Sequence, residues 1–294
     1  MRKTESEGKK METFVVNRPL GLRAALVHHL GLSTSDAARM IKGGHVKVNG
    51  RRTRDSVMLA PGDRVEAFLP PALRPQLPEI LYEDGAVLVV VKRPGIEVCD
   101  GEGMTLLDVL RENGYPEALA VHRLDVHTGG LLLFARSPEA EEALRALLAG
   151  RQLHKEYECV VAGVPEYPGR VHRAYLAKDA RRGMVSVSDS PRPGAREILT
   201  RYDILASCGD FARLRVQLIT GRTHQIRAHL AHMGHPILGD DRYGDRQINA
   251  RVGLKRPLLW AARLTFPGEL PPVLSALSGR VFTSEPQFSP KSPL

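Results

Sequence analysis

The sequence contains few cysteines, few aromatic residues and no long hydrophobic run, and each shortage excludes a class of protein. Three cysteines, Cys99, Cys159 and Cys208, leave an odd thiol and no close pair, so the sequence indicates neither a disulfide framework nor a zinc finger. No run approaches about 18 uninterrupted apolar residues, and the N-terminus leads into a polar stretch instead of a secretory apolar segment. We therefore expect a protein of the reducing cytoplasm.

The chain is nevertheless long and apolar enough to fold. It has 294 residues, of which 43% are hydrophobic and 26% are charged, as in ordinary soluble globular proteins. This length predicts one or two domains with a substantial core.

The charge is distributed unevenly along the chain. The net charge is +6 over residues 1–70, −6 over 71–150 and +9 over 151–263, within a total of +9. Two separated basic segments are typical of proteins that bind a polyanion, although many basic proteins bind none. Nucleic acid is therefore the leading candidate for a partner.

The first basic segment has the pattern of a small α+β module over residues 14–69, after a polar tail at 1–13 that we expect to be flexible. Leucines near helical spacing end at Gly31, and a second helix, which Ser33 or Ser35 could cap, ends at Gly43-Gly44. Asn49-Gly50 then favours a type I′ hairpin turn.

This order of elements resembles the S4 RNA-binding domain, in which the second helix and neighbouring residues contact RNA phosphates. Thr34 stands where that family commonly has a basic residue. The resemblance implies that five cations bind RNA: Arg39, Lys42, Lys47, Arg51 and Arg52. The alternative is that they form a solvated basic face.

A proline-rich linker at 70–78 precedes the predicted second domain at 79–277, and a C-terminal tail follows at 278–294. Apolar runs predict buried strands at 86–91 and 130–134, and Ser137-Pro138 favours a helix start. Strands and helices do not alternate strictly, so we expect a mixed sheet.

Two segments of this domain concentrate polar residues beside predicted strands. The first contains His122-Arg123-Leu124-Asp125 and precedes the strand at 131–134. The second, Gly221-Arg222-Thr223-His224-Gln225-Ile226-Arg227, follows another strand, with Thr223 as the predicted cap of the next helix. Taken alone, Asp125 fits an Asx turn or a surface ion pair better than a catalytic role.

A family resemblance changes that interpretation. Four segments, in order over about 80–266, are similar in sequence to the motifs of RluA-type pseudouridine synthases. They are His-Arg-Leu-Asp with a following Thr-x-Gly, Lys155-x-Tyr157, Gly-Arg-Thr-His-Gln-Ile-Arg and Gly-His-Pro-Ile-Leu-Gly-Asp. The resemblance implies an α+β fold with a mixed, largely antiparallel sheet in the catalytic domain. It also implies isomerisation of uridine to pseudouridine without a cofactor.

The resemblance assigns roles to four residues. Asp125 would act as nucleophile at the anomeric carbon or as base at the neighbouring ribose carbon. Arg222 would pair with Asp125 and keep it ionised, and Tyr157 would pack against the target base and could help to move the proton from its carbon five. Arg123 would fill the space that the flipped base leaves, or else contact a phosphate.

Three positions depart from the family pattern. Gly129 stands where a serine or threonine is usual, Trp260 stands where a histidine is common, and Lys92-Arg93-Pro94-Gly95 shifts the usual proline by one position. These departures leave the residues assigned to chemistry intact, so we expect them to affect substrate choice more than activity.

The sequence also leaves rival functions open. Four histidines, His224, His229, His232 and His235, could suggest a metal site, but no His-Glu-x-x-His motif accompanies them and we expect no metal. The favoured function is modification of large-subunit ribosomal RNA, and the alternatives are a transfer RNA enzyme, a noncatalytic RNA-binding assembly factor and a metal-dependent hydrolase. We expect a monomer without a DNA or membrane partner.

Overall fold

The computed structural model describes residues 10–32, 34–70, 76–101, 104–179, 184–288 and 292–294. The chain forms two units, one from Met1–Leu77 with Gly95–Pro116 and one from Pro78–Pro94 with Glu117–Leu294. No helix in the described ranges is long and apolar enough to cross a membrane.

The first unit is an α+β fold on a small antiparallel sheet. Its elements are β1 (Lys10–Val15), β2 (Leu20–Gly21), α1 (Leu22–Leu30), α2 (Thr34–Lys42), β3 (Val46–Val48), β4 (Arg51–Thr53), β5 (Met58–Leu59), β6 (Arg64–Leu69) and α3 (Leu106–Glu112). The four-stranded sheet has the order β1-β6-β3-β4, and β2 pairs with β5.

Local chemistry explains where these elements end. Gly31 ends α1 in the left-handed conformation with φ 61°, and Asn49 and Gly50 have φ 50° and 77°, as a type I′ turn requires. Thr105 and Asp108 form a capping box at the start of α3. The apolar faces of α1 and α2 pack on the buried side of the sheet around Leu26.

The second unit is built on one large sheet with helices beside it. Its elements are β7 (Glu79–Glu83), β8 (Val87–Lys92), β9 (Leu119–Ala120), β10 (Gly129–Ala135), α4 (Pro138–Ala149), β11 (His154–Ala162), β12 (Val171–Asp179), β13 (Met184–Ser188), β14 (Arg196–Cys208), β15 (Phe211–Leu218), α5 (Gln225–His232), α6 (Arg246–Val252), β16 (Leu259–Thr265), a 3₁₀ helix (Pro272–Leu277) and β17 (Val281–Thr283). Eleven strands form this sheet within the described residues.

The sheet is mixed and largely antiparallel, as predicted. Its main path is β13-β12-β14-β15-β11-β16-β10-β8-β7, with β17 beside β16 and β9 beside β10. Only the β10–β16 pair is parallel among the described strands. Every residue of β8 and β10 is buried, which explains why both strands are continuous apolar runs in the sequence.

The structure differs from the sequence-based boundaries at several places. Residues 10–13, expected in a flexible tail, belong to β1, which pairs with β6. Residues 95–116, expected in the catalytic domain, fold with the first unit. The segment 278–294, expected as a tail, contributes β17 to the sheet.

Other predictions of local structure fall partly outside the described residues. Ser33 and linker residues 71–75 are among these, so a Ser33 cap and that part of the linker are not described, whereas the alternative cap, Ser35, lies inside α2. The predicted strand at 86–91 and the helix starting at Ser137-Pro138 both form, and the Ser137 side chain accepts a hydrogen bond from the Ala140 N–H.

Candidate active site

A loop before β10 carries Asp125, and a buried lysine on β8 fixes that loop. The Lys92 Nζ donates to the main-chain carbonyls of Val126 at 3.0 Å, Thr128 at 2.8 Å and Arg93 at 3.2 Å. These bonds occupy all three donors of the ammonium group. Burial lowers the pKa of Lys92 to about 7, and the negative charge of Asp125 opposes that change. The Lys92 contacts therefore fix the main chain just after Asp125 and bring the amine near enough to interact electrostatically with the carboxylate.

The other end of this loop is fixed by a neutral histidine. The His122 Nε2 accepts a hydrogen bond of 3.2 Å from the Leu133 N–H in β10. Burial and the nearby charge of Lys155 lower the pKa of His122 to about 3, so its ring is neutral and able to accept this bond. The loop that carries Asp125 is thus attached to the sheet on both sides.

Asp125 forms an ion pair with Arg227, and the predicted partner Arg222 is corrected. The Arg227 Nη1 lies 3.0 Å from the Asp125 Oδ2, and the Arg227 side chain is only 5% exposed. The Arg222 side chain is exposed, and its main-chain N–H donates to the Gln225 Oε1 at 3.1 Å. Both arginines belong to the same motif, so the motif was found correctly but the wrong arginine was chosen.

Helix α5 presents Arg227 to the site because the helix is buried around most of its circumference. Gln225 satisfies its amide completely: Nε2 donates to Leu199 O and Thr200 Oγ1, and Oε1 accepts from Thr220 Oγ1 and the Arg222 N–H. These four bonds connect the start of α5 to β14 and to the preceding loop. They fix the rotation of the helix about its axis.

His224 precedes this helix in an unusual backbone conformation. It is the N-cap residue, with φ 55° and no side-chain capping bond, so the expectation that Thr223 caps the helix was wrong. A positive φ at a histidine is uncommon and costs free energy, and such positions cluster at functional sites. The conformation places Nε2 at 3.8 Å from the Asp125 Oδ2. Burial lowers the pKa of His224, although the charge of Asp125 opposes it.

Tyr157 is buried on β11 near Asp125. The pairing of β11 with β16 shifts register between Glu156 and Tyr157, where Ala262 is the extra residue. Such bulges change the direction of side chains next to active sites. Burial, together with the negative charge of Asp125, raises the pKa of Tyr157, so its phenol stays protonated and neutral. The structure therefore brings together two of the three predicted catalytic residues, Asp125 and Tyr157.

The four histidines considered as a metal site have separate partners. His224 Nδ1 bonds to Tyr243 Oη, His229 to Thr200, His232 to Asp189, and His235 to the Ala162 carbonyl. Across the described ranges, no three His, Cys, Asp or Glu side chains converge in a metal-binding arrangement.

The predicted RNA-binding residues differ in how far neighbouring carboxylates neutralise them. Arg39 forms an ion pair with Asp36 on the same helix. Lys47 lies 3.6 Å from Glu66 and 5.1 Å from the centre of the Phe68 ring. These two cations already have partners within the first unit.

The remaining cations of the first unit are more accessible. Lys42, Arg51 and Arg52 are exposed, as is Arg123 in the second unit. The side chains of Arg52 and Arg54 both lie beside Gly44, where a Cβ would be 3.4 Å from each of them. Two guanidinium groups beside one glycine create a local concentration of positive charge at the end of α2.

The sequence interpretation missed three residues that the structure makes prominent: Arg227, Asp240 and Arg54. The Arg227 side chain also bonds to the buried Asp240. A sequence signal existed for this pair, since a charged residue on a helix with apolar neighbours needs a partner, and Asp240 ends the last quoted motif. Arg54 lies just beyond Arg51 and Arg52 and could have been found by extending that basic run.

Comparisons with known proteins agree with this arrangement. The RNA pseudouridylate synthase family model matches residues 86–232, and the S4 domain model matches 24–65. Ribosomal large subunit pseudouridine synthase C of Vibrio vulnificus is 31% identical over 88% of this chain and 85% of its own. The Xylella fastidiosa synthase D is 35% identical over 80% of this chain and 77% of its own.

A solved structure supports the same relationship. Human RNA Pseudouridylate Synthase Domain Containing 1 superposes with a TM-score of 0.56 and 26% identity, covering 65% of this chain and 78% of that one. The ordered motifs, the mixed sheet and the family-model match together show that this chain belongs to the RNA pseudouridylate synthase family and carries an N-terminal S4 domain.

Proposed function

We propose that the enzyme isomerises a uridine of large-subunit ribosomal RNA and that Asp125 starts the reaction. The observation that carries this proposal is the 3.0 Å ion pair between Asp125 and Arg227 in a site where the Asp125 side chain remains 25% exposed. The buried guanidinium holds the carboxylate by a charge-assisted hydrogen bond, and the exposed fraction leaves it accessible to a substrate. The names of the relatives, which act on the large ribosomal subunit, support this choice of RNA.

The two oxygens of Asp125 have different surroundings. Arg227 donates its hydrogen bond to Oδ2 and His224 also approaches Oδ2, whereas Oδ1 accepts no side-chain hydrogen bond within the described residues. Oδ1 is therefore the oxygen available for reaction. It could attack the anomeric carbon or remove the proton from the neighbouring ribose carbon, and both routes start from the same oxygen.

Tyr157 contributes as a neutral phenol in this proposal. Because burial raises its pKa, the phenolate is disfavoured and the group is a poor proton acceptor in the resting enzyme. Its ring can pack against the uracil while its hydroxyl donates a hydrogen bond. This supports the packing role expected from the sequence over a role as the initial base.

RNA binding is proposed to use the exposed cations of both units. Arg123 lies two residues before Asp125 and is exposed, which is compatible with filling the vacated base position or with contacting a phosphate. Lys42, Arg51, Arg52 and Arg54 supply phosphate contacts from the S4 domain. The cytoplasmic location, the monomeric state and the lack of DNA or membrane partners remain parts of this proposal.

Asp125→Asn tests the catalytic assignment. The amide keeps the size of the side chain but has no negative charge, so we expect no pseudouridine to form while RNA affinity is retained. Carbodiimide-based primer extension on ribosomal RNA transcripts would detect the product, and filter binding would measure affinity. Substantial product from the variant would contradict the assignment.

Arg227→Met and Arg222→Met form a matched pair that tests the corrected ion pair. Of the two arginines, it is Arg227 that forms the ion pair with Asp125, so we expect Arg227→Met to lose much more turnover than Arg222→Met. Equal losses in both variants would count against the pair.

The RNA substrate is tested separately from the chemistry. Pseudouridines would be mapped in ribosomal and transfer RNA from cells with and without the protein. We expect sites to disappear from large-subunit ribosomal RNA when the protein is removed. If sites disappeared only from transfer RNA, the substrate would be transfer RNA instead of ribosomal RNA, and the proposed isomerase activity would still stand.

A further inference from the structure

One loop bonds to both of the groups that face the Asp125 Oδ2. This loop, residues 240–243, follows α5 and precedes α6, and Asp240 and Tyr243 are its first and last residues. We propose that the 240–243 loop positions the catalytic carboxylate, with Asp240 acting through Arg227 and Tyr243 acting through His224. The inference rests on the proposed role of Asp125 and extends it to residues that touch no substrate.

Asp240 fixes the orientation of the Arg227 guanidinium. Its carboxylate is fully buried and accepts from the Arg227 Nε at 2.6 Å and Nη2 at 2.9 Å. It also accepts from the main-chain N–H groups of Arg242 at 2.9 Å and Tyr243 at 3.0 Å. Three of these bonds end on Oδ1 and one on Oδ2, and the two-point contact leaves the guanidinium little rotational freedom. The Nη1 group is then directed at Asp125.

The charges in this cluster make the arrangement stable. Burial alone would raise the pKa of Asp240, but the hydrogen bond and charge of Arg227 and the two main-chain donors lower it below the ordinary value. Hydrogen bonds and the charges of Asp240 and Asp125 likewise raise the pKa of Arg227 against the effect of its burial. Asp240 is therefore ionised and remains an acceptor at neutral pH.

Tyr243 determines which nitrogen of His224 carries the proton. Its Oη accepts from the Val185 N–H at 2.9 Å and lies 2.9 Å from the His224 Nδ1. With the Val185 bond made, the phenol O–H is free to donate to Nδ1. Neutral His224 then carries its proton on Nε2, the nitrogen that faces Asp125. The Tyr243 ring also lies against Arg227, with 5.4 Å between the guanidinium carbon and the ring centre.

Helix α6 attaches the loop to the rest of the unit. The Asn249 Nδ2 donates to the Asp240 carbonyl at 2.8 Å, and its Oδ1 accepts from the Gly239 N–H at 2.7 Å. Gly239 has φ 79°, and a Cβ there would overlap the Arg256 carbonyl, so this close approach requires glycine. The 240–243 loop thus has a fixed main chain from which its side chains can position others.

Asp240→Asn tests the Asp240 arm of this proposal. The asparagine amide would set a donor against an Arg227 donor, so we expect kcat to fall about tenfold or more, while KM for RNA stays the same. In the Arg227→Gln background, Asp240→Asn should cause no further loss, because its effect passes through Arg227. An Asp240→Asn kcat within about twofold of the wild type, or losses that multiply in the double variant, would overturn this arm.

Two further variants keep the test decisive if Asp240→Asn does not fold. Asn249→Ala releases the main chain of the loop without changing a charge, and Tyr243→Phe removes the hydroxyl that bonds to His224 and to the Val185 N–H. We expect each to lower kcat with unchanged KM, and the lost hydrogen bonds should lower the melting temperature by only a few degrees. The loss from Tyr243→Phe should vanish in the His224→Ala background. A normal kcat in both single variants would overturn the proposal.

A control variant and the wild-type enzyme distinguish a failure of the positioning role from a failure of the proposed function. Asp245→Asn changes a nearby carboxylate that caps α6, and asparagine caps helices equally well, so its kcat should match the wild type. If wild-type enzyme forms no pseudouridine, the proposed function fails. If the wild type is active and Asp125→Asn is inactive, but the loop variants behave normally, only the positioning role fails.

Discussion

In the second unit, the Trp260 ring occupies the space that a side chain at Gly129 on the neighbouring strand would need. Gly129 and Trp260 are register partners in the parallel β10–β16 pair, and a Cβ at Gly129 would lie 2.7 Å from the Trp260 Cε3. The Trp260 side chain is almost fully buried, and its Nε1 donates to the Ser284 Oγ. The two departures from the family pattern at these positions are therefore one coupled change, in which the indole fills the space of the absent side chain.

This coupling predicts non-additive stability effects. We expect Gly129→Ser to lower the free energy of unfolding by about 1–3 kcal/mol, since it overpacks the indole. Trp260→His should lower it by about 2–4 kcal/mol because it leaves a cavity. The double variant should lose less free energy of unfolding than the two single variants lose together. Urea denaturation of the wild type, both single variants and the double variant measures these losses. Additive losses would contradict the shared space.

At the scale of elements, α5 shows how polar side chains can occupy a buried helix. Its residues from Gln225 to Leu230 are all buried, including Arg227 and His229. His229 Nδ1 lies 2.9 Å from Thr200 Oγ1. Each polar group in this helix therefore has a defined partner on a neighbouring element, which offsets the cost of its burial.

The buried His229 predicts a loss of stability on acidification. Burial, assisted by the charges of His172 and His232 and opposed by Asp189, lowers the pKa of His229 from 6.5 to about 4. Between these values the unfolded chain binds a proton that the folded protein does not, so the free energy of unfolding falls as the pH drops from 6.5 to about 4. The contribution is at most about 1.4 kcal/mol per pH unit.

His229→Gln provides the measurement. Glutamine can still bond to Thr200 but does not titrate, so the variant should lose less stability between about pH 7 and about pH 5 than the wild type. Urea denaturation of the wild type and the variant at several pH values gives, for each protein, the slope of the free energy of unfolding against pH. Equal slopes would show that His229 contributes nothing to the pH dependence.

The same helix explains how far sequence reasoning reaches. The apolar runs of β8 and β10, and the capped start of α4 at Ser137, were predictable because their signals are local. The choice between Arg222 and Arg227 was not, because it depends on the rotation of α5, and that rotation is set partly by two long-range bonds from Gln225 to β14. Strand β17 was missed because it is short and forms only where β16 offers a free edge.

At the scale of the whole molecule, the two basic segments serve different units. The first unit includes α3, whose segment contacts α1 through a hydrogen bond from the Met104 N–H to the His29 carbonyl. Deleting residues 1–70 would therefore remove the partners of α3 as well as the RNA-binding cations. Substituting individual arginines tests RNA binding without that damage.

Arg52→Gln with Arg54→Gln should weaken RNA binding and reduce its salt dependence. These exposed guanidinium groups lie together beside Gly44, and each lost phosphate contact should lower the slope of log affinity against log salt by about 1. Arg39→Gln is the control, because Arg39 is paired with Asp36 and should matter less. An unchanged salt slope in the double variant would show that this surface does not contact phosphates.

The position of β16 has a consequence for the timing of activity during synthesis. This late strand lies between β10, which follows the Asp125 loop, and β11, which carries Tyr157. The two halves of the pocket remain unjoined until Leu259–Thr265 has entered the sheet. We therefore expect a growing polypeptide to acquire activity only after β16 has been translated and has entered the sheet.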